Sequence, residues 1–362
     1  MNTRNSLRSG IILNSLYYNL SQNHRNDSLG FMETEIDTRG QTQTVQLYSN
    51  WNHKAGDRLT VNTGFHTLHL LLNGAFAIEP RASVSYAASE KRTIAIGYGL
   101  HSQIQPLGAY FTRNPATNAA MNKNLGMSKA HHLVLSHDIN VSTHTHIKTE
   151  VYYQHLFNIP VSAAAGSTLS MINVVDGYVT DKLVNKGKGR NYGLELTIER
   201  FLHKNFYYLL SASLYDSRYR TLDGHWFNTR FNTGRSASFT VGKEWQLSEK
   251  RKNKIIGMNI KCQYAGGLRY SPIDLNASVA KGETQFVESK AYTIQNPDYF
   301  RLDVRVSMKR NFKHSTGTLA LDIQNSTNRK NIGGQYYDVN TGKVKYWYQT
   351  PLIPVLSYRL EF

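Results

Sequence analysis

The sequence is poor in cysteine, in proline and in long apolar runs. Its 362 residues include one cysteine, Cys262, so an intramolecular disulfide and a cysteine-based metal site are both excluded. The most apolar run, residues 68–78, is interrupted by His69, Asn73 and Gly74. It falls short of the roughly 18–20 apolar residues of a membrane-spanning helix. A helical membrane protein is therefore excluded, whereas a protein that crosses a membrane with strands is not.

Tyrosine, glycine and positive charge are abundant instead. The chain has 23 Tyr and 26 Gly against 8 Pro, a composition that suits long β-strands with aromatic belts. The formal net charge is +17, but the Lys and Arg residues are spread along the whole chain. This spread does not predict nucleic acid as a partner. An anionic lipid surface or an anionic solute accounts for the charge equally well.

Alternation of apolar and polar residues is the strongest pattern in the sequence. In the clearest case, apolar residues from Phe300 to Met308 alternate with Arg301, Asp303 and Arg305. About fourteen such segments, from residues 7–21 to 345–362, predict an all-β, antiparallel protein with one domain over residues 1–362. The parity also places Cys262 on an apolar face.

Short and long connections between these segments alternate as well. Short polar turns are predicted near residues 89–90, 142–143, 203–204, 249–252 and 313–315. The long segments are predicted at 22–37, 69–79, 104–127, 159–188, 220–233, 269–297 and 329–344. A transmembrane β-barrel with tight periplasmic turns and long external loops has this arrangement.

The end of the chain has apolar or aromatic residues at alternate positions: Leu356, Tyr358, Leu360 and Phe362. They resemble the terminal signal by which the outer-membrane barrel assembly machinery recognises its clients. The resemblance implies that this machinery is a partner.

Longer phrases resemble TonB-dependent outer-membrane receptors of the group that often carries a carboxypeptidase-regulatory-like N-terminal domain. The phrases are Ile78–Arg81, Gly97–Gln103 with Gln105 and Pro106, Asn191–Thr197, Tyr207–Ser217 and Pro354–Phe362. The resemblance implies a location in the Gram-negative outer membrane, with its lipid and lipopolysaccharide as partners. It also implies a 22-stranded barrel filled by an N-terminal plug, of which this chain would be the C-terminal fourteen strands.

The start of the chain bears on that expectation. Residues 1–5 have no apolar core of a secretory signal and lead directly into a strand-like segment, so the sequence predicts a partial barrel without its plug. The TonB complex would then act only through the missing plug. The two ends of a partial barrel are expected to lie apart as an open sheet, because pairing them would join strands that were never neighbours.

Histidines are dense between residues 131 and 146. His131 and His137 are expected on one face of a strand and His132 on the other, which does not suit a tetrahedral metal site. His144 and His146 share a face across the next turn. We predict no metal site and no cofactor.

Carboxylates occur beside basic residues. Glu195 and Glu199 share the polar face of one strand, and Asp303 lies between Arg301 and Arg305, which indicates salt-bridge ladders rather than acid–base catalysis. Asp216, Ser217, His225 and Ser236 could be arranged as a hydrolytic site on paper, but nothing in their spacing favours it. No enzymatic activity is predicted.

Aromatic residues near strand ends predict interfacial girdles; they are Phe206, Tyr207, Tyr208, Trp245, Tyr346, Trp347 and Tyr348. Tyr346, Trp347 and Tyr348 are alternatively candidates for binding a ligand near the mouth. The loops 104–127, 159–188 and 269–297 are the other candidates, because they are long and rich in Asn, Tyr and Arg. The glycine-containing segment 185–190 lacks the strand–loop–helix context of a phosphate site and is expected to be an external loop.

Three functions remain open at this stage. The first is the barrel part of a receptor that takes up a scarce nutrient, an iron chelate, a peptide or a glycan, with the external loops contributing to binding. The second is a complete 14-stranded passive channel. The third is a soluble β-rich adhesin or carbohydrate-binding protein.

Overall fold

A computed structural model describes residues 3–26, 31–114, 117, 119–175, 177–247 and 254–362. The strands are β1 (Asn5–Asn26), β2 (Phe31–Ala55), β3 (Leu59–Leu70), β4 (Ala75–Ser89), β5 (Arg92–Gln103), β6 (Ser128–Ser142), β7 (Thr145–Ser162), β8 (Leu183–His203), β9 (Phe206–Arg220), β10 (Trp226–Asn228), β11 (Arg235–Gln246), β12 (Lys254–Ala265), β13 (Arg269–Tyr270), β14 (Ile294–Gln295), β15 (Tyr299–Asn311), β16 (Thr316–Gln324), β17 (Ile332–Asp338), β18 (Lys343–Tyr348) and β19 (Ile353–Glu361). The α-helices of the described residues are short and lie in connections: α1 (Leu107–Tyr110) and α2 (Leu275–Lys281). No helix in these described ranges is both long and apolar enough to cross a membrane.

Fourteen strands form one antiparallel path in the order β1 to β9, then β11, β12, β15, β16 and β19. Each corresponds to one segment predicted from alternation, so the all-β antiparallel prediction is confirmed. The remaining strands pair inside connections or, for β10, along β9. The predicted last strand, 345–362, was wrong in its extent: β18 pairs with β17, and β19 begins only at Ile353. Pro351 lies between them, and a proline has no N–H to continue a ladder.

The two faces of the sheet differ as the alternation requires. Val304 is paired between Ile260 and Ile323 on the apolar face, and Cys262 pairs with Leu302 on that same face. On the polar face the Arg301 guanidinium lies 2.7 Å from Asp303, and Arg305 contacts Asp322 at 2.8 Å. The predicted facing of this strand and its ion pairs is confirmed.

Tyrosines lie over glycines on the polar face. A Cβ added to Gly193 would be 2.8 Å from the Tyr152 hydroxyl, and one added to Gly10 would be 2.5 Å from the Tyr48 hydroxyl. Tyr207 likewise lies on this face, over Gly242, and its hydroxyl donates to Asn259 Oδ1 at 2.7 Å. The prediction that Tyr207 belongs to an interfacial girdle was therefore wrong, because its parity is opposite to that of Phe206 and Tyr208.

The connections alternate in length along the sheet. One end has the short turns at 56–58, 90–91, 143–144, 204–205 and 312–315, while the turn predicted at 249–252 lies outside the described residues. The other end has the connections 104–127, 163–182, 221–234, 266–298 and 325–352. Two predicted long segments, 22–37 and 69–79, were wrong. Their residues mostly continue the paired strands, and only 71–74 separate β3 from β4.

The path ends at β1 and β19, and among the described residues these two strands do not pair with each other. The expected open sheet is confirmed. The pairing that a closed 14-stranded channel needs is not made. Each open edge presents unpaired backbone groups, which are costly in lipid.

A buried apolar cluster lies at the long-connection end of the polar face. Leu68, Leu70, Ala77 and Leu183 of the sheet cluster with buried residues of the connections, namely Ala109, Tyr110, Leu125, Met127, Met171 and Val179. The connections 104–127 and 163–182 therefore fold over the polar face rather than extend away from it.

Candidate functional site

A cavity of about 250 Å³ lies where three long connections meet. The connections are 221–234, 266–298 and 325–352. Its lining combines arginines with aromatic residues and comprises Arg230, Leu268, Arg269, Tyr270, Ser271, Phe286, Tyr292, Asn296, Gly333, Gly334, Gln335 and Trp347. Small-molecule sites are typically concave, with aromatic or apolar walls and placed polar groups, and this lining has aromatic walls with a larger share of polar and charged side chains.

The connection 266–298 leaves β12 along a backbone track that only glycine permits. A Cβ on Gly267 would overlap the carbonyl of Asn296, whose own N–H donates to Leu268 O at 3.0 Å. The Gln295 amide also donates to Gly267 O, at 3.0 Å. These bonds hold both ends of the connection beside each other at the floor of the cavity.

The far part of this connection is a capped helix. The Asp274 carboxylate accepts the N–H of Ala277 at 3.0 Å at the start of α2, and Gly282 ends the helix with φ of 69°. An Asp at this position and a glycine at the end are the preferred caps. The helix therefore gives the connection a defined shape.

Two arginines give the cavity its charge. Arg269 is fixed, since its Nε donates to Asn232 O at 2.8 Å and its backbone N–H donates to Arg230 O at 2.9 Å. The Arg230 backbone N–H donates to Asn173 Oδ1 at 2.8 Å, which ties the connection 163–182 to this site. The two positive charges of the cavity therefore belong to residues whose backbones are held in place by hydrogen bonds.

Tyr292 is the most constrained lining residue. Its φ of 52° lies in the left-handed region, which a bulky residue rarely adopts and which costs about 1–3 kcal/mol. Burial raises the pKa of its phenol, an effect that the nearby Arg230 charge partly opposes. Its ring meets Tyr219 edge-on, with centroids 6.2 Å apart. Strain of this kind is concentrated at binding sites in proteins.

Trp347 closes one side of the cavity. A Cβ on either Gly333 or Gly334 would overlap its indole, so the glycine pair lets the ring lie flat on the β17 backbone. Of the three aromatics predicted as ligand-binding candidates, Trp347 lines the cavity, whereas Tyr346 and Tyr348 lie outside its lining; all three are about half-exposed. Burial, together with the neighbouring Tyr346, raises the pKa of Tyr270.

The other two candidate loops pack against each other. The buried Asn122 amide donates to Asp181 O at 2.9 Å, and its oxygen accepts the N–H of Leu183 at 2.8 Å. The Tyr110 hydroxyl accepts the N–H of Gln105 at 3.0 Å, and burial raises the pKa of this phenol. The second of these loops reaches the cavity region, because Glu288 accepts the N–H of Thr168 at 3.0 Å.

A second polar group surrounds Glu79, within the phrase Ile78–Arg81. Glu79 is only 4% exposed on the polar face. Its carboxylate lies 2.8 Å from His66 Nδ1 and 3.4 Å from Arg81, and it accepts the N–H of Ser102 at 3.0 Å. Buried charges in proteins are paired in this way, and the group ties β3, β4 and β5 together.

The remaining candidate groups are dispersed. His131 and His137 share one face of β6 and His132 lies on the other, as predicted, and the shared face is the apolar one. His146 contacts Asp138 at 2.9 Å. His144 stacks on His203 with centroids 3.8 Å apart. Across the described ranges, no group of three His, Cys, Asp or Glu side chains is placed to hold a metal ion.

The hydrolytic arrangement is not formed. Asp216 and Ser217 point to opposite faces of β9, where Asp216 contacts Arg218 at 3.0 Å and Ser217 accepts from Thr229 at 2.9 Å. The segment 185–190, expected as a loop, is part of β8. The residues of the terminal signal, Leu356, Tyr358, Leu360 and Phe362, lie on β19 or just after it, and their recognition stays a prediction.

Several solved structures share this fold at low sequence identity. The ferric yersiniabactin uptake receptor FyuA from Yersinia pestis superposes with a TM-score of 0.63 at 12% identity, covering 99% of this chain and 50% of its own. The ferric preacinetobactin receptor BauA from Acinetobacter baumannii gives 0.60 at 14%, covering 99% and 52%. The ferric-catecholate import receptor Fiu from Escherichia coli K12 gives 0.59 at 12%, covering 89% and 45%.

This chain spans about half the length of those structures. No protein of the curated collection matches the sequence. Residues 3–326 match the family described as TonB dependent receptor-like, beta-barrel. The chain therefore belongs to the TonB-dependent receptor β-barrel family, whose members lie in the outer membrane of Gram-negative bacteria.

Proposed function

We propose that this chain forms the wall and the external loops of a receptor that takes up an anionic iron chelate. The cavity supports this proposal most directly, because it places Arg230 and Arg269 beside four aromatic side chains. The names of FyuA, BauA and Fiu all specify ferric chelates, which agrees with this substrate class. The iron would be cargo held by the chelator, not a metal bound by the protein.

The chemistry of the lining favours an anionic, flat ligand over the other two candidate classes. Guanidinium groups bind carboxylates with two parallel hydrogen bonds, and aromatic rings such as Trp347 stack on planar ligand groups. A neutral glycan would use the stacking surface but leave both arginine charges unpaired. A peptide would gain most from an exposed strand edge.

A receptor in the outer membrane would have three kinds of partner: lipid, the assembly machinery and the TonB complex. The apolar face would contact the outer-membrane lipid and lipopolysaccharide, and Leu356, Tyr358, Leu360 and Phe362 would be read by the barrel assembly machinery. Coupling to the TonB complex would require a plug and a TonB box. The edges at β1 and β19 would be joined by further strands in the assembled receptor, because an open edge is costly in lipid.

Substrate binding by the chain purified in detergent tests the proposal. Ferric citrate and a ferric catecholate, one oligopeptide and one maltooligosaccharide are titrated while tryptophan fluorescence is recorded. We expect quenching by a ferric chelate and not by the peptide or the sugar. Quenching by the sugar or the peptide alone would contradict the proposed substrate class.

Matched variants locate the site. Arg230→Gln removes one cavity charge and leaves the backbone bonds of that residue in place, so affinity for the chelate is expected to fall about tenfold, the loss of one charged hydrogen bond. Lys281→Gln removes a charge from α2 of the same region but outside the cavity, and its affinity is expected to stay within about twofold of wild type. Equal affinity of both variants would show that the chelate does not bind in this cavity.

A further inference from the structure

The apolar face changes character abruptly near the long-connection end of the sheet. One row across neighbouring strands contains Leu135, Val151, Leu194 and Leu214, all exposed, and the next contains Leu133, Tyr153, Tyr192 and Asp216. The row beyond contains His131, His155, Arg190 and Arg218. Successive rows are roughly 7 Å apart along a strand. An apolar belt, an aromatic row and a basic row therefore follow each other toward the external loops.

A further step along the strands extends the basic row. Lys188 pairs with Arg220, and Arg220 pairs with Trp226 of β10. Two guanidinium groups lie over the indole of Trp226, that of Arg190 at 4.7 Å and that of Arg220 at 5.7 Å from the ring centroid. Lys188, Arg190, Arg218, Arg220 and Trp226 are named here the basic patch.

Positive charge is in excess in the basic patch. Asp216, a carboxylate beside it, contacts Arg218 at 3.0 Å and also accepts from Asn232. Arg190 and Arg220 are held in place by the shared indole, since a cation over the face of an aromatic ring is attracted to it. Held guanidinium groups bind phosphate oxygens with two parallel bonds and lose less side-chain freedom in doing so.

The depth of the patch selects its partner. Tyrosine and tryptophan at barrel surfaces mark the membrane–water interface, so charges one or two rows beyond Tyr153 and Tyr192 lie at the level of the lipid headgroups. We propose that the basic patch binds the phosphate groups of a phosphorylated glycolipid of the outer leaflet. This inference rests on the proposed outer-membrane receptor function and names the lipid contact by its residues. The patch is on the opposite face of the sheet from the polar lumen wall, and it does not include any residue that lines the substrate cavity.

Binding of bisphosphorylated lipid A to the full chain in detergent tests the proposal. The variant Arg190→Gln with Arg220→Gln is expected to bind at least tenfold more weakly than wild type. The matched control, Arg92→Gln with Arg200→Gln, removes two arginines from the same face at the short-turn end of the sheet and should bind within about twofold of wild type. Equal losses in both variants would overturn the assignment.

Further measurements test whether charge contributes to the binding and whether the ligand is a lipid or a free anion. The variant Arg190→Lys with Arg220→Lys keeps both charges but loses the two parallel bonds, so its binding should lie between that of wild type and that of the glutamine pair. A loss equal to that of the glutamine pair would show that charge does not contribute to the contact. Dephosphorylated lipid A should bind weakly to wild type. If it binds as tightly as bisphosphorylated lipid A, the lipid contacts the apolar belt and not the basic patch, which overturns the proposal. Displacement by inorganic phosphate at the same concentration as lipid A would show a free-anion site and overturn the lipid assignment.

Ferric chelate binding, measured on the same samples, should be unchanged in the glutamine variant, so failure of this proposal and failure of the substrate proposal are distinguishable.

Discussion

Two parts of this chain are stabilised in different ways. They are the fourteen paired strands, called the wall, and the long connections between the strands, called the external loops. In the wall each strand pairs with its neighbour over most of its length, and side chains alternate between an apolar and a polar face. In the loops the fold depends on single buried side chains that bond to backbone groups: Asn122 bonds to Asp181 in another loop, and Tyr110 bonds to Gln105 in its own loop. The wall repeats one interaction many times, whereas each loop contact occurs once.

This difference separates two kinds of sensitivity. A wall residue is tolerant or intolerant according to the face it occupies, because every position on a face meets the same surroundings. A loop residue is tolerant or intolerant according to its own partners. Facing should therefore predict the effect of a wall substitution, and hydrogen bonding should predict the effect of a loop substitution.

The largest expected effect is at Val304. Val304→Arg places a charge on the apolar face between Ile260 and Ile323, at a cost of about 2–4 kcal/mol if this region lies in the middle of the membrane. In the assembled receptor of which this chain would form the wall, the substitution should strongly reduce the fraction that reaches the outer membrane in the heat-resistant form, as measured on unheated gels.

The neighbouring Asp303 supplies the control for facing. Asp303→Asn removes a charge from the polar face, where the side chain meets Arg301 and accepts the N–H of Asn325 at 2.8 Å, and an amide oxygen can keep that last bond. Its assembled fraction should stay close to wild type. Similar losses in the two variants would show that the faces are not distinguished by lipid.

A smaller and local effect is expected at Asn122. Asn122→Ala leaves the carbonyl of Asp181 and the N–H of Leu183 without their partner, at a cost of about 1–3 kcal/mol. Protease cleavage within 104–127 and 163–182 should accelerate, while the assembled fraction of the wall stays unchanged. Asn124→Ala, an exposed asparagine in the same loop, should cleave at the wild-type rate. Loss of the assembled wall in Asn122→Ala would contradict the separation of wall and loops.

The sequence was sufficient to predict the wall because its cause is local. Alternation within each segment gave the fourteen strands and the face of Cys262, and the apolar and polar rows of β12, β15 and β16 agree with it. The tyrosine–glycine contacts were missed, since Tyr152 and Gly193 are 41 positions apart and meet only through the pairing of β7 with β8. The abundance of both residues was the available signal, and it was attributed to interfacial belts alone.

The cavity could be predicted only in part, because its cause is not local. The loop 269–297 and Trp347 were singled out by length and aromatic character, and both contribute to the lining. Arg230 was missed because it follows the short strand β10, which has no alternation to reveal it. The glycine pair before Trp347 becomes meaningful only when β17 and β18 are paired.

Thiol labelling at two adjacent positions tests the central claim that the apolar face of this sheet contacts lipid. Native Cys262 lies on the apolar face, and Gln263 lies next to it on the polar face. The account predicts that a water-soluble maleimide, applied to outer membranes, labels Gln263→Cys in a Cys262→Ser background and leaves native Cys262 unlabelled until detergent is added. Labelling of Cys262 from water, with protection at position 263, would contradict it, since a register shifted by one residue turns every side chain to the other face.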